Sequence, residues 1–261
     1  MIYVNTIHSP WARILVMNAL QQKRSFGAVN NSNVSDPRLI ESMLANLALF
    51  QRVPRANVAT IASHARVQGA PRGTVLSRQG EMLPGILVLA CGSAKLSLRL
   101  RDGEEKVVRF LSAGDTFGEA AAMHDRPCPV EAVALEDSMV VLLPPLPLLR
   151  LFEVDPQFAR NLARTLADKF LNLLAELEAA LRYTALQRLA AYLESLAEPN
   201  GGPGTWIARL PASKTAVAAR LGITKETMSR LLRELVDRGL IVVDRRDIKL
   251  RDLQGLAQVA H

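Results

Sequence analysis

Apolar and polar positions separate most cleanly towards the end of the chain. Met228, Leu231, Leu232 and Leu235 fall at i, i+3, i+4 and i+7, one stripe of a helix, and Glu226, Ser229, Arg230 and Arg233 repeat that spacing on the other side. Thr224 is placed to cap this helix, which is expected to run to about Arg238 and to stop at Gly239. Before it, Ser213 caps a shorter helix, Lys214 to Leu221, with Val217 and Leu221 turned inward. Gly222 supplies the permissive backbone needed between two crossed helices. After it, Leu240–Asp244 and Arg245–Leu250 read as two short strands around a basic turn. A helix pair with a solvated charged face would explain the first two segments alone. The hairpin that follows makes the stretch a winged helix–turn–helix, with side chains suited to base edges on its exposed face.

Upstream, the period changes twice. Leu39, Met43, Leu44 and Leu47, then Val58, Ile61 and Ala62, are helically spaced, with Pro54 between the two groups. Thr74–Leu76, Ile86–Leu89, Ala94–Leu100, Val107–Leu111 and Met139–Leu143 are short strand-like runs punctuated by glycines, the pattern of a β-sandwich, roll or barrel. Arg101-Asp-Gly-Glu is expected to turn a hairpin between two of them. Pro144 to Pro147 is expected to end the sheet, and Asp155-Pro156 to open a long helix running at least to Arg182. Leu166, Phe170, Leu173 and Leu177 recur on it at spacings of four and three, a coiled-coil seam; a helix buried on its own sheet is the competing reading. Leu162, Leu171, Leu174 and Leu181 widen the apolar surface, which favours a second copy as partner. Tyr183–Leu196 continues as an amphipathic helix, and Pro199–Thr205 is a loop. At the start, Trp11–Leu20 has the pattern of a short amphipathic helix before a polar stretch to Ser35, an extension whose start codon is alternatively Met17 or Met43.

Composition adds little to the fold and more to the partner. Apolar residues make up 49% of the 261 and charged residues 22%, an ordinary globular balance. A formal charge of +7 favours a polyanionic partner without choosing nucleic acid over a membrane surface. No apolar run approaches the roughly 18–20 residues of a membrane span, and no export signal is recognisable. Cys91 and Cys128 fit neither a disulfide framework nor a metal knuckle, so a reducing cytoplasm is the expected setting.

Taken in order, Gly73-Thr-Val-Leu-Ser-Arg-Gln-Gly-Glu81, Gly114-Asp-Thr-Phe-Gly-Glu119 and Thr224-Lys-Glu-Thr-Met-Ser-Arg230 resemble the cyclic-AMP-receptor/FNR superfamily of bacterial transcription regulators over residues 38 to 252. The resemblance implies an α+β chain: a jelly-roll β-roll like those that bind cyclic nucleotides, a long dimerisation helix and a winged helix–turn–helix. The corresponding divisions are an N-terminal extension (1–36), an effector-sensing roll (37–152), the dimerisation helix (153–183), the DNA-binding module (184–252) and a tail (253–261). It further implies a homodimer on a palindromic operator of TTGAT-like half-sites one helical turn apart, with RNA polymerase as a further partner. Arg230 then pairs with guanine O6 and N7, Glu226 accepts from cytosine N4 and Ser229 meets a thymine or phosphate. Lys225 and Thr227 lie on the same turn and Arg233 one turn on, while Lys214, Thr215, Arg245 and Arg246 are expected on backbone phosphate.

Effector residues implied by the same resemblance are Gly118, Glu119, Val130, Glu131, Phe170, Leu173, Leu174 and Leu177, of which Phe170, Leu173 and Leu177 with Leu166 also form the dimer seam. The chain departs from the cyclic-nucleotide pattern. Where receptors clamp the cyclic phosphate with an Arg-Ser pair, Pro127-Cys-Pro-Val-Glu-Ala132 offers no arginine and a carboxylate instead. Leu173 and Leu174 stand where hydroxyl residues face the adenine. A cyclic nucleotide is therefore the alternative rather than the expected effector. Two cysteines cannot supply an all-cysteine iron–sulfur cluster within one chain; the gas-sensing branches of the same family imply haem with a diatomic gas, His124 being the candidate ligand, beside a small metabolite, a redox change or no effector at all. His124 is equally readable as an exposed loop residue. As an enzyme, His124 and Cys128 would lack a third orienting group, and no catalytic residue is expected. A regulatory subunit acting on protein is the remaining reading.

Overall fold

A computed structural model describes residues 36–100, 103–201 and 205–260. The expected Trp11–Leu20 helix, Arg101 and Asp102 of the expected hairpin turn, and part of the Pro199–Thr205 loop lie outside them. Two compact units result. The first takes the chain up to Leu96 and Phe110–Lys169, and the second takes Ser97–Arg109 and everything from Phe170 onward.

The roll is built from two four-stranded sheets, ordered β1-β8-β3-β6 and β2-β7-β4-β5. Its strands are β1 (Arg66–Ala70), β2 (Val75–Ser77), β3 (Ile86–Cys91), β4 (Ser93–Arg99), β5 (Glu105–Ser112), β6 (Thr116–Phe117), β7 (Glu131–Ala134) and β8 (Ser138–Leu143). β3 pairs antiparallel with both β8 and β6, so it is interior to its sheet. Its uninterrupted apolar run follows from burial on both faces. Leu87 and Leu89 enter the core between the sheets with Leu111, Phe117 and Val140. Ile86, Val88 and Ala90 face a helical layer instead.

That layer comprises α1 (Pro37–Ala45), α2 (Arg55–His64), α4 (Pro145–Val154) and the start of α5 (Pro156–Arg182). A short helix, α3 (Glu119–His124), follows β6. Pro145 and Pro147 do not simply terminate the sheet: they begin α4, where a missing N–H costs nothing. Asp155 then caps α5, its carboxylate accepting from the backbone N–H of Gln157 at 2.9 Å and of Phe158 at 3.0 Å, and from Asn57 Nδ2 at 2.9 Å. Burial alone would raise this carboxyl, but those donors outweigh it and hold Asp155 below the usual carboxylate range. Asn161 Nδ2 donates to the carbonyls of Leu49 and Gln51 at 3.1 and 2.8 Å, tying the helix to the turn after α1.

Buried anchors on α5 are confined to Phe158, Asn161 and Leu162. Leu166, assigned to the dimer seam from its spacing, partly packs against the helical-layer core. Beyond it the apolar side chains are open: Phe170 is 59% exposed, Leu173 53%, Leu177 55% and Leu181 78%. A stripe of that kind is the mark of a surface that meets something else.

Within the second unit, α6 (Ala185–Ser195) starts with a reciprocal capping box between Thr184 and Gln187. A four-stranded sheet follows in the order β11-β12-β10-β9, from β9 (Ala197–Pro199), β10 (Trp206–Arg209), β11 (Ile241–Asp244) and β12 (Asp247–Leu250). α7 (Lys214–Leu221) and α8 (Lys225–Asp237) are inserted between β10 and β11. The expected tail is instead a helix, α9 (Leu253–Ala260), which packs on α6 and buries Leu256 and Ala260.

Candidate nucleic-acid interface and regulatory site

Both helices of the turn have the expected bounds because their caps are local. Ser213 Oγ accepts from Ala216 N at 3.2 Å, Thr224 Oγ1 accepts from Thr227 N at 3.2 Å, and Gly222 takes the left-handed conformation (φ 66°) that a side chain would strain. Met228, Leu231, Leu232 and Leu235 are buried, which turns Lys225, Glu226, Ser229, Arg230 and Arg233 outward, all of them exposed. Thr227 is half-buried and shares a hydrogen bond with the Thr224 hydroxyl at 3.1 Å, so it serves the cap as well as the face. Ser229 Oγ donates to the Lys225 carbonyl at 3.0 Å, leaving its lone pairs available as acceptors. Arg238, by contrast, is locked in an i,i+4 pair with Glu234. On α7, Thr215 is exposed and Lys214 half-buried. Arg245 and Arg246 form the exposed tip of the β11–β12 wing, Arg245 itself at φ 53°. The geometry offers one exposed helix face of mixed donors and acceptors and a separate cationic wing.

In the roll, Gly118 has φ 86°, and a Cβ there would fall 2.5 Å from Leu83 Cδ1. It leads into α3, whose first residue, Glu119, is buried. The Glu119 carboxylate is already satisfied: Oε1 accepts from Lys169 Nζ at 2.5 Å and from the Thr116 hydroxyl, and Lys169 also donates to the Thr116 carbonyl at 2.8 Å. Lys169 was not among the sequence candidates. It sits fifty residues away on α5, and no local pattern couples the two. Val130 and Glu131 are half-buried at the start of β7. Phe170, Leu173, Leu174 and Leu177 are exposed on the part of α5 that belongs to the second unit.

Neither described histidine is enclosed. His124 is exposed at the end of α3, and His64 is exposed with Nδ1 against the Thr60 carbonyl at 2.8 Å. An axial haem ligand has to meet the macrocycle in an apolar enclosure, so these residues do not fit that group as they stand. Cys128 is buried and Cys91 half-buried. Burial pushes the Cys91 thiol up, against an opposing hydrogen bond from the Met139 backbone, so it is a poor thiolate. Among the described residues, no group of three or more His, Cys, Asp or Glu is placed to hold a metal, and no helix is long and apolar enough to cross a membrane.

A sensor-type roll followed by a winged helix–turn–helix defines a DNA-binding regulator rather than an enzyme. Residues 67–155 match the cyclic nucleotide-binding domain, and residues 187–259 match the Crp-like helix-turn-helix domain. The transcriptional regulatory protein btr of Bordetella pertussis is 30% identical over 202 residues, covering 72% of this chain and 78% of that protein. A cyclic AMP receptor protein of Thermus thermophilus is 27% identical over 190 residues, covering 73% and 86%. Among solved structures, FixK2 from Bradyrhizobium japonicum superposes with a TM-score of 0.66 at 25% identity, over 76% of this chain and 98% of that one. The chain belongs to the Crp/Fnr family of transcription regulators.

Proposed function

We propose that this regulator works as a homodimer on an inverted TTGAT-like repeat, with an effector in the roll that is not cyclic AMP, and that it acts on RNA polymerase from a cytoplasmic site. The exposed stripe Phe170, Leu173, Leu177 and Leu181 carries the dimer reading, because a long apolar helix face in water is stabilised by pairing with its own copy. Two copies related by a two-fold axis present two reading helices to a palindrome, about 10–10.5 bp apart from centre to centre. Arg230, Glu226 and Ser229 read bases, Lys225, Thr227 and Arg233 flank them, and Lys214, Thr215, Arg245 and Arg246 hold phosphates.

Two features argue against cyclic AMP. Glu119 is neutralised by Lys169 inside the protein, and Glu131 contributes a carboxylate in the stretch where the family's phosphate clamp carries a cation. Cyclic-nucleotide control is the second reading, favoured by the matched domain and by the relative named as a cyclic AMP receptor. Sedimentation and DNase footprinting on a TTGAT inverted-repeat duplex test the proposal. Two protomers per duplex and a footprint spanning both half-sites without cyclic AMP are expected. A monomer, or a footprint that appears only when cyclic AMP is added, contradicts it.

A further inference from the structure

The carboxyl-terminal end of α7 carries a cluster of charges that lies apart from the exposed face of α8. The last carbonyls of a helix lack intrahelical partners, and cations are favoured there. Two cations from outside the helix pair supply them. Lys106 Nζ, on β5, donates to the Arg220 carbonyl at 2.9 Å, and Arg188 Nε, on α6, donates to the Leu221 carbonyl at 3.2 Å. Arg188 also donates through Nη1 to the Tyr183 carbonyl at 2.7 Å, at the end of the long helix. Arg220 points its guanidinium away from α7 and grips Glu176 of α5 through two parallel bonds, one of them Nη1 to Oε2 at 2.6 Å. Gly222 leaves room for this arrangement, since a Cβ there would stand 3.0 Å from Lys106 Nζ.

Three cations therefore converge on the hinge between α7 and α8 with one carboxylate between them. Burial pushes the Lys106 ammonium below its ordinary value, Arg220 and Arg188 push it the same way, and Glu176 opposes them. The Arg220–Glu176 pair is sheltered: the side chains are 19% and 34% exposed. A bidentate, partly buried pair fixes direction as well as distance. The strand that bears Lys106 continues into the second sheet of the roll, and the helix that bears Glu176 is the one whose apolar stripe is unpartnered. None of these groups lies on the reading face, which stays exposed.

We propose that Glu176, Arg220 and Lys106 are positioning residues that fix the reading helix against the long helix and the β4–β5 hairpin, and so set the half-site spacing the dimer accepts. The assignment rests on the paired-site reading above. Rigid attachment makes the distance between two reading helices a property of the dimer; loose attachment lets each module find its half-site independently. The latch therefore acts on the difference between whole-site and half-site binding rather than on base contacts.

The test uses full-length protein and fluorescence anisotropy on three duplexes: TTGAT half-sites inverted one turn apart, the same with two base pairs added between them, and one with a single half-site scrambled. For Glu176→Gln and Lys106→Met we expect the one-turn site to weaken at least tenfold, half-site binding to stay within about twofold, and the preference for one spacing to vanish. Lys106→Arg should restore it. Retention of the wild-type spacing preference overturns the proposal, as does equal loss on whole and half sites, which would mean that the cluster only stabilises the module. If wild-type protein itself shows no preference for the paired site, the dimer reading fails and the spacing role fails with it. Hydrogen exchange on the free protein reads the latch without DNA: the amides of Gly222 and Ile223 should exchange at least tenfold faster in Lys106→Met, and unchanged protection contradicts the latch.

Discussion

On the reading helix the guanidinium groups of Arg230 and Arg233 stand in solvent, while in the roll the carboxylate of Glu119 is buried and already held by Lys169 and Thr116. A charge left open on a surface costs little in water and is available to a partner. A buried charge is tolerated only when it is paired, and the pair then belongs to the fold. The same difference separates what the two regions reveal. The helix face leaves its charged groups open to a partner, whereas the roll encloses a carboxylate that has been put to structural use.

Removing Lys169 gives the largest expected effect. Lys169→Met strands the Glu119 carboxylate, and loss of one partner of a largely buried pair costs about 3 kcal/mol. Urea unfolding should show it, and adding Glu119→Gln to the same chain should recover most of the loss. A neutral Lys169→Met would make Glu119 an open group after all and remove the contrast between the two regions. Next comes Arg230→Ala, expected to weaken the cognate site by about 2 kcal/mol, roughly 30-fold, and to relax preference at one base pair. Arg245→Ala should be milder and uniform across sequences, reducing the slope of log affinity against log salt by about one. If it proves sequence-selective, the wing reads bases and the division of labour is wrong.

The smallest effect concerns acid. Because the folded Asp155 carboxyl lies below its ordinary value, the unfolded chain binds its proton first, and stability rises with pH. Its contribution is complete above the unfolded value of about 3.9 and is lost as pH falls through the lower folded value. Asp155→Asn keeps a cap acceptor but cannot titrate, so its unfolding free energy should fall less steeply below about pH 4. An unchanged acid slope would remove Asp155 from that account.

Much of this molecule could be read from its sequence where the determinants are local. Ser213, Gly222 and Thr224 set the bounds of α7 and α8 through bonds spanning a few residues, and the alternating burial of the reading helix follows from its period. Strands are illegible where burial is thin or the run is short. β1 buries only Ala70 of its five residues, and β6, though buried, is two residues long. α4 was hidden by its own prolines, which are harmless in a first turn. The carboxyl-terminal helix α9 reads as a tail in the sequence because its partner, α6, lies some sixty residues earlier in the chain. Lys169 and Glu119, and likewise Lys106, Arg188, Arg220 and Glu176, are brought together by tertiary structure alone, and no spacing rule reaches across such separations.

The central claim is that an open Arg230 on α8 reads a guanine in a paired site, and the most direct measurement is a cycle between that side chain and that base. Affinities of wild-type protein and Arg230→Ala are compared on TTGAT inverted-repeat duplexes carrying guanine or 7-deazaguanine, which lacks the N7 acceptor. Wild-type protein should lose about tenfold on 7-deazaguanine, within the range of a bidentate base contact, and Arg230→Ala should be indifferent to the change. An equal loss in both proteins, or none in either, contradicts the account.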